Sequence, residues 1–179
     1  MTQHSFHGAV FIATSLDGFI ARPDGDIGWL TSRAPQADDT GYQAFIDSID
    51  TVVIGRATYE TALAFGDDQW PYGGKHLAVL STSLDPAADS RIAVHRDLDQ
   101  LVGNLADHDA KRVYVDGGQV VQSFLRAGLV DEITITVVPV LLGRGLSLFG
   151  PLDHDVDLSH RSTRVIGDGF VQTTYAIRT

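Results

Sequence analysis

The stretch Val113-Tyr-Val-Asp-Gly-Gly-Gln119 joins an apolar strand to the start of a helix through two adjacent glycines. Glycine lets the backbone approach a ligand closely, and the first turn of a helix presents unpaired N–H groups and partial positive charge. The stretch therefore predicts a strand–turn–helix unit whose turn binds a phosphate, with a nucleotide as the natural ligand. The alternative, for this stretch taken alone, is a tight turn that binds nothing.

The residues after the glycines repeat with the period of an amphipathic helix. Val120 and Phe124 fall on one face, and Val121 and Leu125 lie beside them. Gly128 stands where helices commonly end in a left-handed residue. The helix is therefore predicted to start at the glycine pair and to end just before Gly128.

Length, net charge and cysteine content limit the classes of protein to consider. The chain has 179 residues, a net charge of −10 and no cysteine. We expect residues 1–179 to form a single domain, because this length suffices for one well-buried core. An acidic chain lacks the basic face that nucleic acids and anionic membranes attract, so neither is expected as a partner. The lack of cysteine rules out disulfides and thiolate metal sites, and we expect a cytoplasmic protein without a bound metal.

Strands and helices alternate along the sequence, which is the pattern of an α/β sheet. The last two strands are joined by Gly167-Asp-Gly169 and are predicted to pair as a hairpin. The expected fold is α/β, with a mixed, mostly parallel central sheet flanked by helices and a C-terminal antiparallel hairpin. The predicted strands are residues 8–14, 51–55, 76–81, 92–95, 112–116, 132–138, 163–166 and 170–178, and the predicted helices are residues 41–48, 57–65, 98–106 and 119–127.

Three further strand ends carry residues suited to a ligand. Asp17 and Gly18 follow the first strand, Arg56 and Thr58 start the helix after the second, and Ser81-Thr-Ser83 follows the third. An arginine and a hydroxyl at a helix N-terminus suit a phosphate by charge and by dipole. Taken singly, each group is also explained as a turn or a helix cap. Because the carboxyl ends of parallel strands meet at one edge, we expect the four loops to line one groove.

Five motifs, by their order and spacing, resemble the dihydrofolate reductase-like superfamily. The nearest branch is the C-terminal reductase domain of the bifunctional riboflavin-biosynthesis deaminase/reductases, together with its stand-alone relatives. The resemblance runs from about residue 9 to the end of the sequence. The motifs are Ser15-Leu-Asp-Gly-Phe-Ile20, Gly55-Arg-Ala-Thr-Tyr-Glu60, Asp116-Gly-Gly118, Gly128-Leu-Val-Asp-Glu132 and Pro139-Val-Leu-Leu-Gly-Arg-Gly145.

The resemblance implies an NADPH-dependent reductase. Ala13 and Ile20 would present backbone groups to the nicotinamide carboxamide, and Asp17, the candidate catalytic residue, would sit beside the nicotinamide and its ribose. The other implied cofactor contacts hold the phosphates and the adenosine ribose, and they are Gly55, Arg56, Thr58, Leu80, Ser81, Thr82, Asp116, Gly117, Gly118, Gln119, Val120 and Val121.

The implied reaction transfers a hydride to a C=N or C=O carbon of a small heterocyclic or carbonyl substrate, similar to the reduction of 5-amino-6-(5-phosphoribosylamino)uracil in riboflavin biosynthesis. A phosphoribosyl substrate would need further cations near the groove, for which Arg22, Arg33 and Arg144 are candidates. The candidate substrate contacts are Trp29, in the first loop, and Asp39, in the segment where dihydrofolate reductases proper carry their substrate-binding acid.

Two alternatives remain open. A dihydrofolate reductase in the strict sense would need Asp38 or Asp39 to face the nicotinamide, although both are also explained as exposed carboxylates at a helix start. The other alternative is a nucleotide-binding module of the same fold without catalysis. The resemblance further implies a homodimer, for which the apolar run 133–142 offers some support.

Overall fold

The computed structural model describes residues 4–34 and 40–178. Its centre is an eight-stranded sheet, with a separate two-stranded sheet beside it. The strands are β1 (His7–Ser15), β2 (Phe19–Ala21), β3 (Thr51–Gly55), β4 (His76–Leu80), β5 (Ile92–His95), β6 (Arg112–Asp116), β7 (Glu132–Val138), β8 (Leu146–Ser147), β9 (Leu158–Ile166) and β10 (Phe170–Ile177).

The four predicted helices are present, each within one residue of its predicted bounds, and a short additional helix precedes them. None of the helices in the described part of the chain has the length and apolarity needed to cross a membrane. The helices are α1 (Gly28–Thr31), α2 (Tyr42–Asp47), α3 (Arg56–Ala64), α4 (Leu98–Asp107) and α5 (Gly118–Arg126).

The large sheet is mixed and mostly parallel, as predicted. Its strand order is β5-β4-β3-β6-β1-β7-β10-β9. The first six of these strands run parallel to one another, whereas β10 pairs antiparallel with both β7 and β9. The carboxyl ends of the six parallel strands therefore share one edge, and the hairpin β9–β10 closes the sheet on the β7 side.

Two buried clusters cover the two faces of this sheet. Alternate residues of a strand point to opposite faces, so Val113 and Val115 pack with the apolar sides of α4 and α5, whereas Tyr114 packs with α2 and α3 on the other face. Phe124 of α5 is completely buried in the first cluster. A third, smaller cluster lies where α1 meets β7 and the hairpin.

Three elements that the sequence did not predict lie near the first loop, and a fourth is a single 3₁₀ turn at Asp67–Gln69. Strands β2 and β8 are only 3 and 2 residues long and pair with each other, and α1 is a single turn. Strand β9 begins at Leu158, earlier than the predicted residue 163, because its polar residues form an exposed edge and do not alternate with apolar ones.

Candidate functional site

A cleft of about 1290 Å³ runs along the carboxyl ends of the parallel strands. Single small-molecule sites are commonly about 300–1,000 Å³, so this cleft has room for more than one small ligand. It extends from Arg96, which follows β5, past the ends of β4, β3, β6 and β1 to Thr136 on β7 and Phe170 at the start of β10. All four loops expected to line one groove contribute residues near it, but the turn at Asp17 and Gly18 does not line the cleft. The first loop is represented there by Ile20 and Ala21.

The two glycines between β6 and α5 lie too close to neighbouring protein atoms to carry a Cβ atom. Gly117 has a φ of 92°, and a Cβ atom there would lie 2.6 Å from the Thr58 hydroxyl oxygen. A Cβ atom on Gly118 would lie 2.8 Å from the carbonyl oxygen of Ser147 in β8. Both positions therefore require glycine. Residues 117–120, which include the first turn of α5, line the cleft.

The two cationic side chains of the cleft lie at its β4–β5 end. Arg56 donates from Nη1 to Oγ of Ser83 at 2.9 Å and from Nε to a carboxylate oxygen of Glu60 at 2.6 Å. Arg96 donates from Nη1 to the carbonyl oxygen of Ser81 at 2.8 Å. These hydrogen bonds fix two guanidinium groups beside the loop that follows β4.

One hydroxyl group of the loop after β4 stabilises the turn of that loop by hydrogen bonds. The Ser81 side chain is buried, and its Oγ accepts hydrogen bonds from the backbone N–H groups of Ser83 at 3.3 Å and Leu84 at 3.1 Å. Thr82 and Ser83 are exposed on the cleft. The Ser81 hydroxyl fits the turn interpretation, and the Thr82 and Ser83 hydroxyls fit the phosphate interpretation. The two interpretations of this segment are therefore compatible.

An aromatic wall with one carboxyl group forms the part of the cleft near β6 and α2. Tyr42, Tyr72 and Tyr114 surround Asp116, and Tyr72 and Tyr114 lie within hydrogen-bonding reach of its carboxyl group. The Tyr42 and Tyr114 ring centroids are 6.5 Å apart. Asp116 also accepts a hydrogen bond from the backbone N–H of Gly117 at 2.8 Å.

Burial changes the acidity of this group of side chains. It raises the pKa of Asp116, against the opposing effect of the Gly117 N–H. Burial, followed by the negative charge of Asp116, raises the pKa of Tyr42 to about 12 and also raises the pKa values of Tyr72 and Tyr114. The Tyr114 hydroxyl donates to the Phe11 carbonyl oxygen at 2.9 Å, so its oxygen is left to accept from a protonated Asp116.

Asp17 lies outside the cleft and joins two loops. Its carboxylate accepts hydrogen bonds from Ser15 Oγ at 2.6 Å and from the backbone N–H groups of Leu142 at 3.1 Å and Gly143 at 2.7 Å. The Ser15 hydroxyl, followed by these N–H groups, lowers the pKa of Asp17. The first loop is thereby tied to the loop after β7.

Thirteen of the fourteen residues proposed as cofactor contacts line the cleft. Val121 is the exception, because it is completely buried on the sheet side of α5. The thirteen are Ala13, Ile20, Gly55, Arg56, Thr58, Leu80, Ser81, Thr82, Asp116, Gly117, Gly118, Gln119 and Val120.

The two proposed substrate contacts do not fall on the described cleft. Trp29 is only 2% exposed and packs against Val138, Ile166 and Phe170 in the third cluster. Asp39 lies outside the described residues, as does Asp38. The strict dihydrofolate reductase alternative depends on those two acids.

Among the cleft side chains that sequence reasoning did not identify as site residues, four are used in the description above. Arg96 and the three tyrosines, Tyr42, Tyr72 and Tyr114, belong to no motif and come together only when the strands are ordered in the sheet. Tyr114 carried the clearest signal, since it is a polar residue within the buried strand that leads to the glycine pair. Among the described residues, no group of three or more His, Asp or Glu side chains is arranged to hold a metal ion.

The fold is that of the dihydrofolate reductase-like proteins. A dihydrofolate reductase from Enterococcus faecalis, complexed with NADP(H) and RAB-propyl, matches with a TM-score of 0.66 at 17% identity, over 98% of this chain and 98% of that one. Identity at this level indicates a shared fold, and the predicted fold class is confirmed.

The chain belongs to the family of RibD C-terminal domains, whose family model matches residues 7–172. A crystal structure of a putative riboflavin biosynthesis protein from Shewanella sp. PV-4 is 36% identical, with a TM-score of 0.87 over 97% of this chain and 100% of that one. The uncharacterized protein YwjB of Bacillus subtilis (strain 168) is 33% identical over 168 residues, which are 93% of this chain and 95% of YwjB. The resemblance carried by the five motifs is therefore confirmed at the level of the family.

Proposed function

We propose that the protein is an NADPH-dependent reductase that transfers a hydride to a small heterocyclic or carbonyl substrate. The observation that carries this proposal is the cleft itself, which brings together thirteen of the fourteen residues that the family resemblance assigned to the cofactor. Membership of the RibD C-terminal domain family supports the same class of activity. The NADP(H) in the related dihydrofolate reductase supports the choice of cofactor.

The residues of the cleft fit NADPH by their chemistry. Arg56 and Arg96, with exposed Thr82 and Ser83 beside them, form a cationic, hydroxyl-rich end that suits a ribose phosphate. The glycine-bounded start of α5 suits the pyrophosphate, because residues 117–120 line the cleft and the first turn of a helix has unpaired N–H groups and partial positive charge. The nicotinamide would then lie toward Ala13 and Ile20.

The cofactor, when bound, supplies the hydride. The chain holds the cofactor along the strand ends and shields the reaction from water with apolar side chains such as Ile20, Ile27 and Leu30. Because its pKa is raised, the Asp116 carboxyl stays protonated to a higher pH than an exposed carboxyl would. We therefore assign to Asp116 the role of donating a proton to the substrate heteroatom. Asp17 serves to join the two loops rather than to contact the substrate.

Turnover tests this function directly. The purified protein is mixed with NADPH and one compound at a time from a panel of pterins, pyrimidine ribosides and simple carbonyls, and the loss of reduced nicotinamide is followed by absorbance. We expect NADPH consumption with at least one of these classes and much slower consumption with NADH. NADPH binding without consumption in any class would favour the non-catalytic module.

We also propose that the protein acts as a homodimer. In the structure, the run 133–142 starts as a central strand, with Ile133 buried between β1 and β10, and only its end, at Leu141, is 67% exposed. Exposed apolar side chains near that end, including Leu146 and Phe149, support a subunit contact there. Light scattering from the eluting protein measures the mass and distinguishes a dimer from a monomer.

A further inference from the structure

Positive charge is confined to one end of the cleft. Among the described residues that line it, Arg56 and Arg96 are the only Arg or Lys side chains. Both lie at the β4–β5 end, and both are tied to the loop that follows β4. Residues 35–39, which lie outside the described part, are Pro-Gln-Ala-Asp-Asp and contain no Arg or Lys.

At the opposite end of the cleft, near β1, β7 and β10, the described residues that line it are uncharged. Adjacent strands are about 4.8 Å apart, so Thr136 on β7 lies about 15–20 Å from the ends of β3 and β4, three and four strands away. The residues that line this end include Ala13, Leu30, Thr40 and Phe170. A cofactor whose phosphates occupy the arginine end leaves this uncharged end to the substrate.

The other arginines considered for a substrate phosphate do not line the cleft. Arg33 donates to the Trp29 carbonyl oxygen at 2.8 Å, and Arg22 pairs with Asp26 at 3.6 Å. Arg22 and Arg144 line a separate, smaller depression. Arg164 donates from Nε to Gln172 at 2.8 Å, behind the cleft wall.

Gln172 separates Arg164 from the cleft. Its Nε2 donates to the Thr136 hydroxyl at 2.9 Å and to the Thr40 carbonyl oxygen at 3.0 Å, and Thr136 and Thr40 both line the uncharged end. The side chain of Gln172 is buried, with 6% exposure. The neutral face of this hydrogen-bond network is therefore what a substrate would meet.

Among the described charged residues that line the cleft, the one nearest to the uncharged end is an acid. Asp116 lies between the two ends, at the end of β6, and tyrosine rings enclose it on the α2 side. Phe11, whose ring is stacked on Phe45 at 4.8 Å between centroids, continues the aromatic wall. A phosphate placed here would face a carboxyl group, with no Arg or Lys among the described residues of the cleft wall beside it, which is costly in a partly dry site.

We infer that the substrate of this site carries no phosphate group and is a flat heterocycle with amino or hydroxyl donors that face Asp116 and the tyrosine hydroxyls. This inference rests on the proposed reductase function and specifies its substrate class. It departs from the phosphoribosyl substrate that the resemblance to the riboflavin-pathway reductases implied. Flat rings stack on aromatic side chains, and donor groups satisfy the carboxyl and hydroxyl oxygens.

A matched pair of ligands tests the inference. The full-length protein is saturated with NADP⁺ and titrated in a calorimeter with 5-amino-6-(5-phosphoribosylamino)uracil or with its phosphate-free ribosyl counterpart. We expect the phosphate-free compound to bind at least about tenfold more tightly, which corresponds to about 1.4 kcal/mol. Equal or tighter binding of the phosphorylated compound would overturn the inference, and so would the absence of saturable binding by either.

The same samples distinguish a failure of this inference from a failure of the reductase function on which it rests. NADP⁺ binding is recorded first, and its absence would be a failure of the proposed function. In that case the two ligands are titrated into the free protein, where the same preference is expected and the same results would overturn it.

A pair of variants tests the role of Asp116 in this preference. We expect Asp116→Asn to weaken binding of the phosphate-free compound and to reduce the preference to less than about threefold, since the neutral amide no longer opposes a phosphate. Asp97→Asn is the matched control, because Asp97 lies at the arginine end and its amide would still cap α4. An unchanged preference in a folded Asp116→Asn protein, or an equal change in both variants, would contradict the role of Asp116.

Discussion

Arg56, at the start of α3, donates a hydrogen bond to the hydroxyl oxygen of Ser83, 27 residues further along the chain, at 2.9 Å. This bond joins the ends of two neighbouring parallel strands, β3 and β4, and holds the guanidinium group beside the loop that follows β4. A cation held in this way is already oriented for a phosphate, so less side-chain entropy is lost when the phosphate binds.

Replacement of Arg56 by alanine should weaken NADPH binding about tenfold or more and leave NADH binding nearly unchanged. The reason is that NADPH differs from NADH by the 2′-phosphate, and a charge-assisted hydrogen bond contributes about 1.5–3 kcal/mol. Calorimetric titration with both nucleotides measures the effect, with Arg22→Ala as a control outside the cleft. An equal loss for NADPH and NADH would remove Arg56 from the 2′-phosphate.

Replacement of Gly117 by alanine should lower the free energy of unfolding by at least about 2 kcal/mol, because it combines left-handed strain with a contact to Thr58. Gly128→Ala is the matched control. Gly128 has a φ of 66° but no atom within 4 Å of its added Cβ, so strain alone should cost about 1 kcal/mol. Denaturant unfolding of the two variants gives the comparison, and equal losses would mean that the contact with Thr58 has no energetic effect.

Asp116→Asn should increase stability relative to the native protein, and the increase should grow with pH. The pKa of Asp116 is higher in the folded state than its ordinary value of 3.8, so the folded state favours the protonated carboxyl. The native protein therefore loses stability as the pH rises from about 3.8 through the folded pKa, and the amide variant does not.

Unfolding in denaturant at a series of pH values measures this difference. Asp99→Asn, at an exposed position of α4, is the control for loss of an acidic residue. A difference between Asp116→Asn and the native protein that stays constant with pH, or that shrinks as pH rises, would contradict the raised pKa.

Asp17→Ala should speed hydrogen exchange at the backbone amides of Leu142 and Gly143 by roughly tenfold, since each N–H loses its carboxylate acceptor. Amide exchange followed by NMR resolves the two positions. Asp24→Ala, which removes a local bond to the N–H of Asp26, is the control. If exchange at Leu142 and Gly143 is the same in both variants, Asp17 does not join the two loops.

The regular part of the fold was predictable because its residues carry a strong local signal. The β6–α5 unit combines a buried apolar run, two glycines and a helical repeat, and its strand and helix lie within one residue of the predicted bounds. Strands β2 and β8 could not be found in this way, since two or three residues do not establish a period. They exist because the first loop folds back onto the loop after β7.

The candidate site was predictable only in part, for a related reason. The phosphate-suited residues stand directly at strand ends, so a parallel sheet brings them to one edge whatever its strand order. The tyrosines around Asp116 come from α2, β6 and the loop before β4, and only the tertiary structure shows that they meet. Trp29 was expected to contact the substrate, but it fills the third core cluster.

The most direct test of the central claim is a calorimetric titration of the purified protein with NADPH and, separately, with NADH. We expect micromolar binding of NADPH and binding of NADH that is at least about tenfold weaker, because Arg56 and Arg96 lie at the end of the cleft assigned to the 2′-phosphate. Failure of both nucleotides to bind would contradict the proposed cofactor site, and the glycine pair would then be a strand-to-helix turn without a ligand.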